Sequence, residues 1–284
     1  MSAQRADVDT AAPAPHGGRS SLDLYAAFAL RGYRRHATYR TATLVGLATN
    51  VVFGFLRSYV FLALYHQRPS VGGYSVAQAL SYVWLTQALI MVVHVWAWTE
   101  LARKVRTGDI VIDLVRPVNM FTTMLASDLG RGAYYLLTRA AVPVVVGALA
   151  FGIAAPSTPG RWLAVLLSVL LAVLVSYCFR FLYNVAAFWL LDYRGPALMA
   201  ILAANFFSGF VVPVNYFPHW LRIVALATPF PAMVQTPIDI FVSHLDTSAT
   251  VVALGTQAAW VIGLTALAGL ALTAGVRRAV VQGG

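Results

Sequence analysis

Residues 162–191 read WLAVLLSVLLAVLVSYCFRFLYNVAAFWLL, with Arg180 as the one charged side chain. A bilayer core about 30 Å thick needs roughly 20 apolar residues as a helix. In lipid every backbone N–H and C=O must be satisfied within its own segment, and a helix does that. Similar runs occupy 41–65, 77–99, 133–153, 197–214 and 250–274. The expected fold is therefore all-α, a polytopic membrane protein with six transmembrane helices in one domain over residues 41–278.

Composition agrees. Of 284 residues 60% are apolar and 11% charged, and mean hydropathy is +0.73. Soluble domains carry about 25% charged residues. The formal net charge of +10 is sorted along the chain. Arg5, Arg19, Arg31, Arg34, Arg35 and Arg40 precede the first run. Arg103, Lys104, Arg106 and Arg116 follow the second, Arg194 the fourth, and Arg277 and Arg278 the sixth. The alternate loops hold only Arg68, Arg161 and Arg222. Basic residues stay cytoplasmic during insertion, so both termini are expected in the cytoplasm and the protein in the cytoplasmic (inner) membrane. The charge thus reads as topology, with contact to anionic lipids secondary, and nucleic acid is not an expected partner. Cys178 stands alone within a span, which excludes a disulfide framework or a cysteine metal site. The first run starts late and lacks a small-residue cleavage site, so it reads as a retained span.

Between the runs, residues 1–19 are rich in Ala, Pro and Gly without periodicity, an expectation of disorder. Over 20–40, Ser20-Ser21-Leu22-Asp23 has capping-box spacing, and apolar residues then recur at helical intervals beside Arg31, Arg34 and Arg35. That predicts an amphipathic interfacial helix. In the loop 100–119, Gly108 breaks one helix and Asp109 caps a second of about two turns. Ile110 and Leu114 share one face and Pro117 ends it. Residues 215–232 are apolar but punctuated by proline and too short to span, which predicts an outer re-entrant segment with Trp220 and Arg222 near headgroup level.

Several chemistries are absent. Lys104 is the only lysine and sits in ARKVR, so no Walker A loop exists. Glu100 is the only glutamate, which removes HExxH. Gly73-Tyr74-Ser75-Val76-Ala77 lacks the second glycine of a nucleophile elbow. No catalytic residue and no metal site is expected. Polar residues inside spans are costly and often functional. Asn50 and Arg57 share a face of the first run, and Gln87 and His94 a face of the second. Asp128, Arg131, Tyr135 and Arg139 form a stripe entering the third, and Ser176, Arg180 and Asn184 one in the fourth. These stripes face either a polar substrate path or neighbouring helices.

Two stretches carry a resemblance. The first is Gly108-Asp109-Ile110 with Asp113-Leu114-Val115-Arg116-Pro117-Val118. The second is Phe207-Ser208-Gly209, Pro213 and Phe217-Pro218-His219-Trp220-Leu221, followed by Pro229-Phe230 and Pro237. Over roughly 21–278 the chain resembles permease subunits of type-2 ATP-binding-cassette exporters, in the small six-span bacterial branch. The resemblance implies a dimer, either of two copies or with a paralogous six-span permease. It also implies a separate cytoplasmic ATPase subunit that binds ATP and Mg. Arg103, Lys104, Arg106, Gly108, Asp109, Ile110, Asp113, Leu114, Arg116 and Pro117 would then meet the ATPase. Asn50, Arg57, Gln87, His94, Arg180, Asn184, Asn205, Phe206 and Phe207 would be candidates for the substrate path. Pro213, Phe217, Pro218, Trp220 and Pro229 would shape the outer segment. The expected function is ATP-driven export of a drug-like or other amphipathic small molecule. A lipid or polysaccharide exporter stays open, as does another class, a lipid-modifying enzyme or a channel-like scaffold.

Overall fold

The computed structural model describes residues 21–38, 40–94, 98–190 and 192–282. The expected disordered tail 1–19, the Ser20 of the capping box and the His94 side chain lie outside them.

Helix α1 covers Ser21–Ala37 and α2 Arg40–Tyr65. A two-residue turn at Gly72 and Gly73 joins strands β1 (Ser70–Val71) and β2 (Tyr74–Ser75), antiparallel with Val71 opposite Tyr74. Both glycines have positive φ, 57° and 84°, which only glycine adopts cheaply and which suits a tight hairpin. Helix α3 (Val76–Leu89) opens on a capping box between Ser75 and Gln78 and continues as a π-helical turn, Ile90–His94. Helices α4 (Glu100–Thr107) and α5 (Ile110–Leu114) follow. Helix α6 (Met120–Tyr135) passes through a second π-helical turn, Leu136–Ala140, into α7 (Ala141–Phe151). The remaining helices are α8 (Pro159–Val185), α9 (Arg194–Phe207), α10 (His219–Leu226), α11 (Gln235–Phe241) and α12 (Thr247–Gln282).

Among the described residues five helices are long and apolar enough to cross a membrane: Thr43–Tyr65, Val76–Val93, Met120–Phe151, Pro159–Phe188 and Thr247–Arg278. The chain is thus an all-α polytopic membrane protein. The expected fifth span, 197–214, is shorter than its sequence suggests. Helix α9 ends at Phe207 because Gly209 turns to φ 85°, and its 14 residues reach about 21 Å. The third span begins well before residue 133. Asn119 caps it by accepting from the Thr122 N–H at 3.1 Å, and the charges of Asp128 and Arg131 neutralise each other within it.

Packing explains why these helices stay together. Trp84 of α3 is fully buried, and its indole lies flush on Gly54 of α2 and Gly147 of α7, where a Cβ would collide with the ring. Helix α1 runs parallel to α6. Tyr25 meets Thr122 at 3.2 Å, Tyr33 packs edge-on against Tyr134, and His36 against Tyr135. Between them the backbones touch: a Cβ on Gly32 would strike the Ser127 carbonyl, and one on Gly130 the Ala29 carbonyl. So α1 is docked on a neighbouring helix by small residues, the close approach typical of membrane helices. Helices α8 and α12 are joined by Gln257, fully buried. Its amide donates to the carbonyls of Ser168 (3.2 Å) and Ala232 (2.8 Å) and accepts from the Ser168 hydroxyl at 2.8 Å.

Candidate coupling site and the ionic cluster behind it

The stretch between the second and third spans folds as two short helices around a glycine. Gly108, φ 80°, ends α4 in the left-handed conformation. Helix α5 has five residues, shorter than the two turns expected. Asp109 does not cap it. Its backbone is already helical (φ −59°, ψ −16°), whereas a capping residue stands in the β region with its carboxylate over the next amides. The Asp109 carboxylate instead accepts from the Thr107 hydroxyl at 2.6 Å.

The base of α5 is fixed from beneath. Ile110 is buried and Leu114 half-buried against the core. Asp113 joins Lys104 at 2.6 Å and Arg116 at 3.4 Å, tying α5 to α4. The start of α4 is held by α8: Asn184 Oδ1 accepts from the Ala102 N–H at 2.9 Å, and its amide donates to the Trp98 carbonyl at 2.7 Å. Glu100 pairs with Arg35 of α1 at 3.3 Å. The outward face is apolar, with Val111, Ile112 and Val115 exposed at 58%, 62% and 77%. Arg103, Arg106 and Pro117 are exposed beside them.

Behind this site lies a buried cluster. Arg180 of α8 places both terminal nitrogens on the Asp128 carboxylate of α6, at 3.2 and 2.7 Å. Arg131 holds the same carboxylate through Nε (2.8 Å) and Nη2 (3.2 Å). The side chains are 10% (Asp128), 5% (Arg131) and 4% (Arg180) exposed. Arg180 Nε also donates to Ser176 at 3.2 Å. The π-helical turn 90–94 supplies further acceptors. The Arg131 guanidinium donates to the carbonyls of Met91 and Val92, and the Ser176 hydroxyl to that of Val93 at 2.6 Å. A π turn loosens the helical ladder and frees carbonyls for such bonds. Three elements, α3, α6 and α8, are thus pinned at one end of the bundle. His36 of α1 lies nearby. Burial holds its pKa below the ordinary value, against the raising effect of its bond to the Gly32 carbonyl, and the charges of Arg131 and Arg35 lower it further.

The candidate path residues fall into two groups. Asn50, Gln87, Arg180 and Asn184 are buried between helices, and Asn50 donates to the Gln87 carbonyl at 3.3 Å. Arg57 is half-buried and donates to the Thr86 hydroxyl (3.1 Å) and to the Phe210 and Val211 carbonyls (both 2.9 Å). Helix α9 differs: Phe206 is 42% exposed, while Asn205 and Phe207 are half-buried. Phe206 stacks on Phe217 at 5.1 Å, which joins α9 to the segment 215–232. Pro213 is buried and Pro229 half-buried. Pro218 precedes α10, whose Trp220 and Ile223 are 66% and 55% exposed.

At the opposite end of the bundle is a cluster the sequence reading passed over. Asp239 of α11 is buried and accepts from the Tyr74 hydroxyl and, at 2.8 Å, from the Gln235 amide. Tyr74 stacks on His244 at 4.3 Å, and Asn215 donates to the Tyr74 oxygen at 2.9 Å. Burial raises the Asp239 carboxyl to about 6, while the bonds from Tyr74 and Gln235 pull it down. The available signal was a lone carboxylate in the apolar segment TPIDIF.

The described residues hold no group of three or more histidine, cysteine or acidic side chains arranged for a metal ion. No curated protein and no solved structure matches the chain. The family model described as ABC-2 family transporter protein matches residues 52–283. The match takes in the second half of the first candidate span and the other four, the paired short helices with their glycine break, and residues 215–232, and with it the chain belongs to the ABC-2 family of transporter proteins.

Proposed function

We propose that the chain is the permease subunit of an ATP-driven exporter that engages a separate ATPase subunit through α4 and α5. The observation that carries this reading is the build of α5. A short helix is pinned from below by Ile110, Leu114 and the Asp113 ion pairs, and presents Val111, Ile112 and Val115 outward. A rigid helix with an apolar face is a docking element for a groove on a partner. ATP and Mg are held by that partner, since the chain lacks the lysine context of a P-loop. This end faces the cytoplasm, both termini lie there, and α9 completes a sixth crossing with the outer segment. Two permeases, identical or paralogous, enclose the path. ATP binding moves the α4–α5 pairs, and the Asp128 cluster passes the motion to α3, α6 and α8 as one body. Packed interfaces of this kind switch between discrete arrangements. The cargo is an amphipathic small molecule meeting Phe206 and Phe207 on the open face of α9.

The test is co-purification. The Val111→Asp/Val115→Asp variant changes only exposed residues, so it should melt like wild type on its own but lose the ATPase. An ATPase that remains bound with wild-type hydrolysis would place the coupling surface elsewhere.

A further inference from the structure

A cavity of about 470 Å³ opens where α1, the α4–α5 pair and the start of α6 converge, within the roughly 300–1,000 Å³ of small-molecule sites. Its lining combines two chemistries, the cations Arg31, Arg35, Lys104, Arg116 and Arg131 and the apolar side chains Phe28, Trp98, Met120 and Met124. The carboxylates that face it are already engaged: Glu100 by Arg35, Asp113 by Lys104 and Arg116, and Asp128 by Arg131 and by Arg180 behind the wall. Arg31 has no carboxylate partner among the described residues. Five cations therefore stand against three anions around a space with room for a ligand.

We infer that this cavity binds an anionic phospholipid, its phosphoryl group among Arg31, Arg35 and Arg116 and its first acyl carbons against Phe28 and Met124. The excess positive charge selects an anion, and planar guanidinium groups match phosphate oxygens. The apolar side chains in the lining distinguish a lipid from free phosphate, which has nothing to place against them. Position agrees, because the cavity lies where the second candidate span ends at Val93 and the third begins at Met120. A lipid seated there bridges three separate elements, so it acts as a filler that locks α1 to the α4–α5 pair. The leaflet from which it comes rests on the proposed orientation; the binding does not.

The experiment uses the full chain, without ATPase, in delipidated detergent micelles. Thermal melting is followed on titration with phosphatidylglycerol, phosphatidylcholine, inorganic phosphate and ATP, and retained lipid is read by native mass spectrometry. Phosphatidylglycerol should raise the melting temperature and stay bound, and the other three should not. Arg31→Gln/Arg116→Gln should weaken phosphatidylglycerol about 25-fold, at roughly fivefold per removed charge. Met124→Trp keeps the charges but fills space in the cavity with an apolar ring, and should also lose the lipid. An equal shift by inorganic phosphate or ATP would make this a soluble-phosphate site and overturn the lipid assignment. Unchanged lipid retention in both variants would overturn the site itself. The Val111→Asp/Val115→Asp variant should keep the lipid while losing the ATPase, which separates this inference from the coupling reading.

Discussion

Replacing Asp128 by Asn should be the most damaging single change of charge in the molecule, and more damaging than replacing either arginine. Asp128 is shared, with Arg131 and Arg180 both bonded to it. Each ion pair at about 4 Å is worth roughly 4 kcal/mol of gross attraction at an effective dielectric of 20. The Asp128→Asn variant forfeits both and leaves two guanidinium groups buried beside each other. Breaking a buried pair in this way costs about 3–5 kcal/mol. Arg180→Leu is milder. The carboxylate keeps Arg131 on both oxygens, and a buried charge is removed along with the bonds it made. Its expected cost is about 1–2 kcal/mol. The assay is thermal unfolding of the full chain in nanodiscs, followed by size-exclusion recovery. Asp128→Asn should lower the midpoint by about 10 °C and Arg180→Leu by a few degrees. An Asp128→Asn protein that melts with wild type, or one more stable than Arg180→Leu, would refute the shared-carboxylate account.

Four further outcomes are expected. Gly130→Leu should push α1 off α6, since even a Cβ there meets the Ala29 carbonyl; amide hydrogen exchange over Ser21–Ala37 should be faster in this variant than in the parent, and equal exchange would refute the docking. Asp109→Ala should leave stability within about 0.5 kcal/mol of wild type, because its carboxylate caps no backbone amide; a larger loss in the melting curve would restore it as a cap. Asp239 has a folded value of about 6, above the ordinary 3.8, so the folded state holds its proton more tightly. That contribution is complete below about pH 4 and is lost as pH rises through 6, up to ~3 kcal/mol, and the fall in melting temperature over that range should be smaller in Asp239→Asn than in wild type. With Cys178 replaced, a membrane-impermeant thiol reagent applied outside should label Gly73→Cys and spare Thr107→Cys; the reverse pattern would invert the proposed orientation.

Which features were readable in the sequence follows from the range of the interaction. The run at 162–191 announced itself because a lipid-exposed helix needs only its own residues to be apolar. The glycine break at 108 was equally local, since φ 80° falls where glycine alone is relaxed. Asp109 misled because Gly-Asp before an apolar run is also the pattern of a cap; the backbone angles decide, and they depend on how Ile110 is buried. The start of the third span was misplaced because Asp128 and Arg131 read as a polar stripe leading into the span and not as part of its helical length. Their cost is removed by Arg180, 52 residues away, and by carbonyls freed in a π turn that apolar sequence does not reveal. Arg180 and Asn184 stood out as polar residues in a span, but their partners on α6 and around Trp98 and Ala102 are set by packing. The Asp239 cluster was invisible for the same reason: Tyr74, Asn215, Gln235 and His244 come from separate stretches of the chain.

The π-helical turns at Ile90–His94 and Leu136–Ala140 carry one consequence of their own. Such a turn takes about five residues round the circle that an α-helix closes in about four. Deleting one residue from Ile90–His94 would therefore leave the halves of that rod nearly in phase, with Trp84 still seated between Gly54 and Gly147, and close the bulge into an ordinary α turn. The Met91 and Val92 carbonyls that Arg131 uses would then return to the helix's own ladder. No choice of side chain repairs that, since the fault lies in the count of peptide units. In these two places the spacing of the chain is under tighter constraint than its lettering.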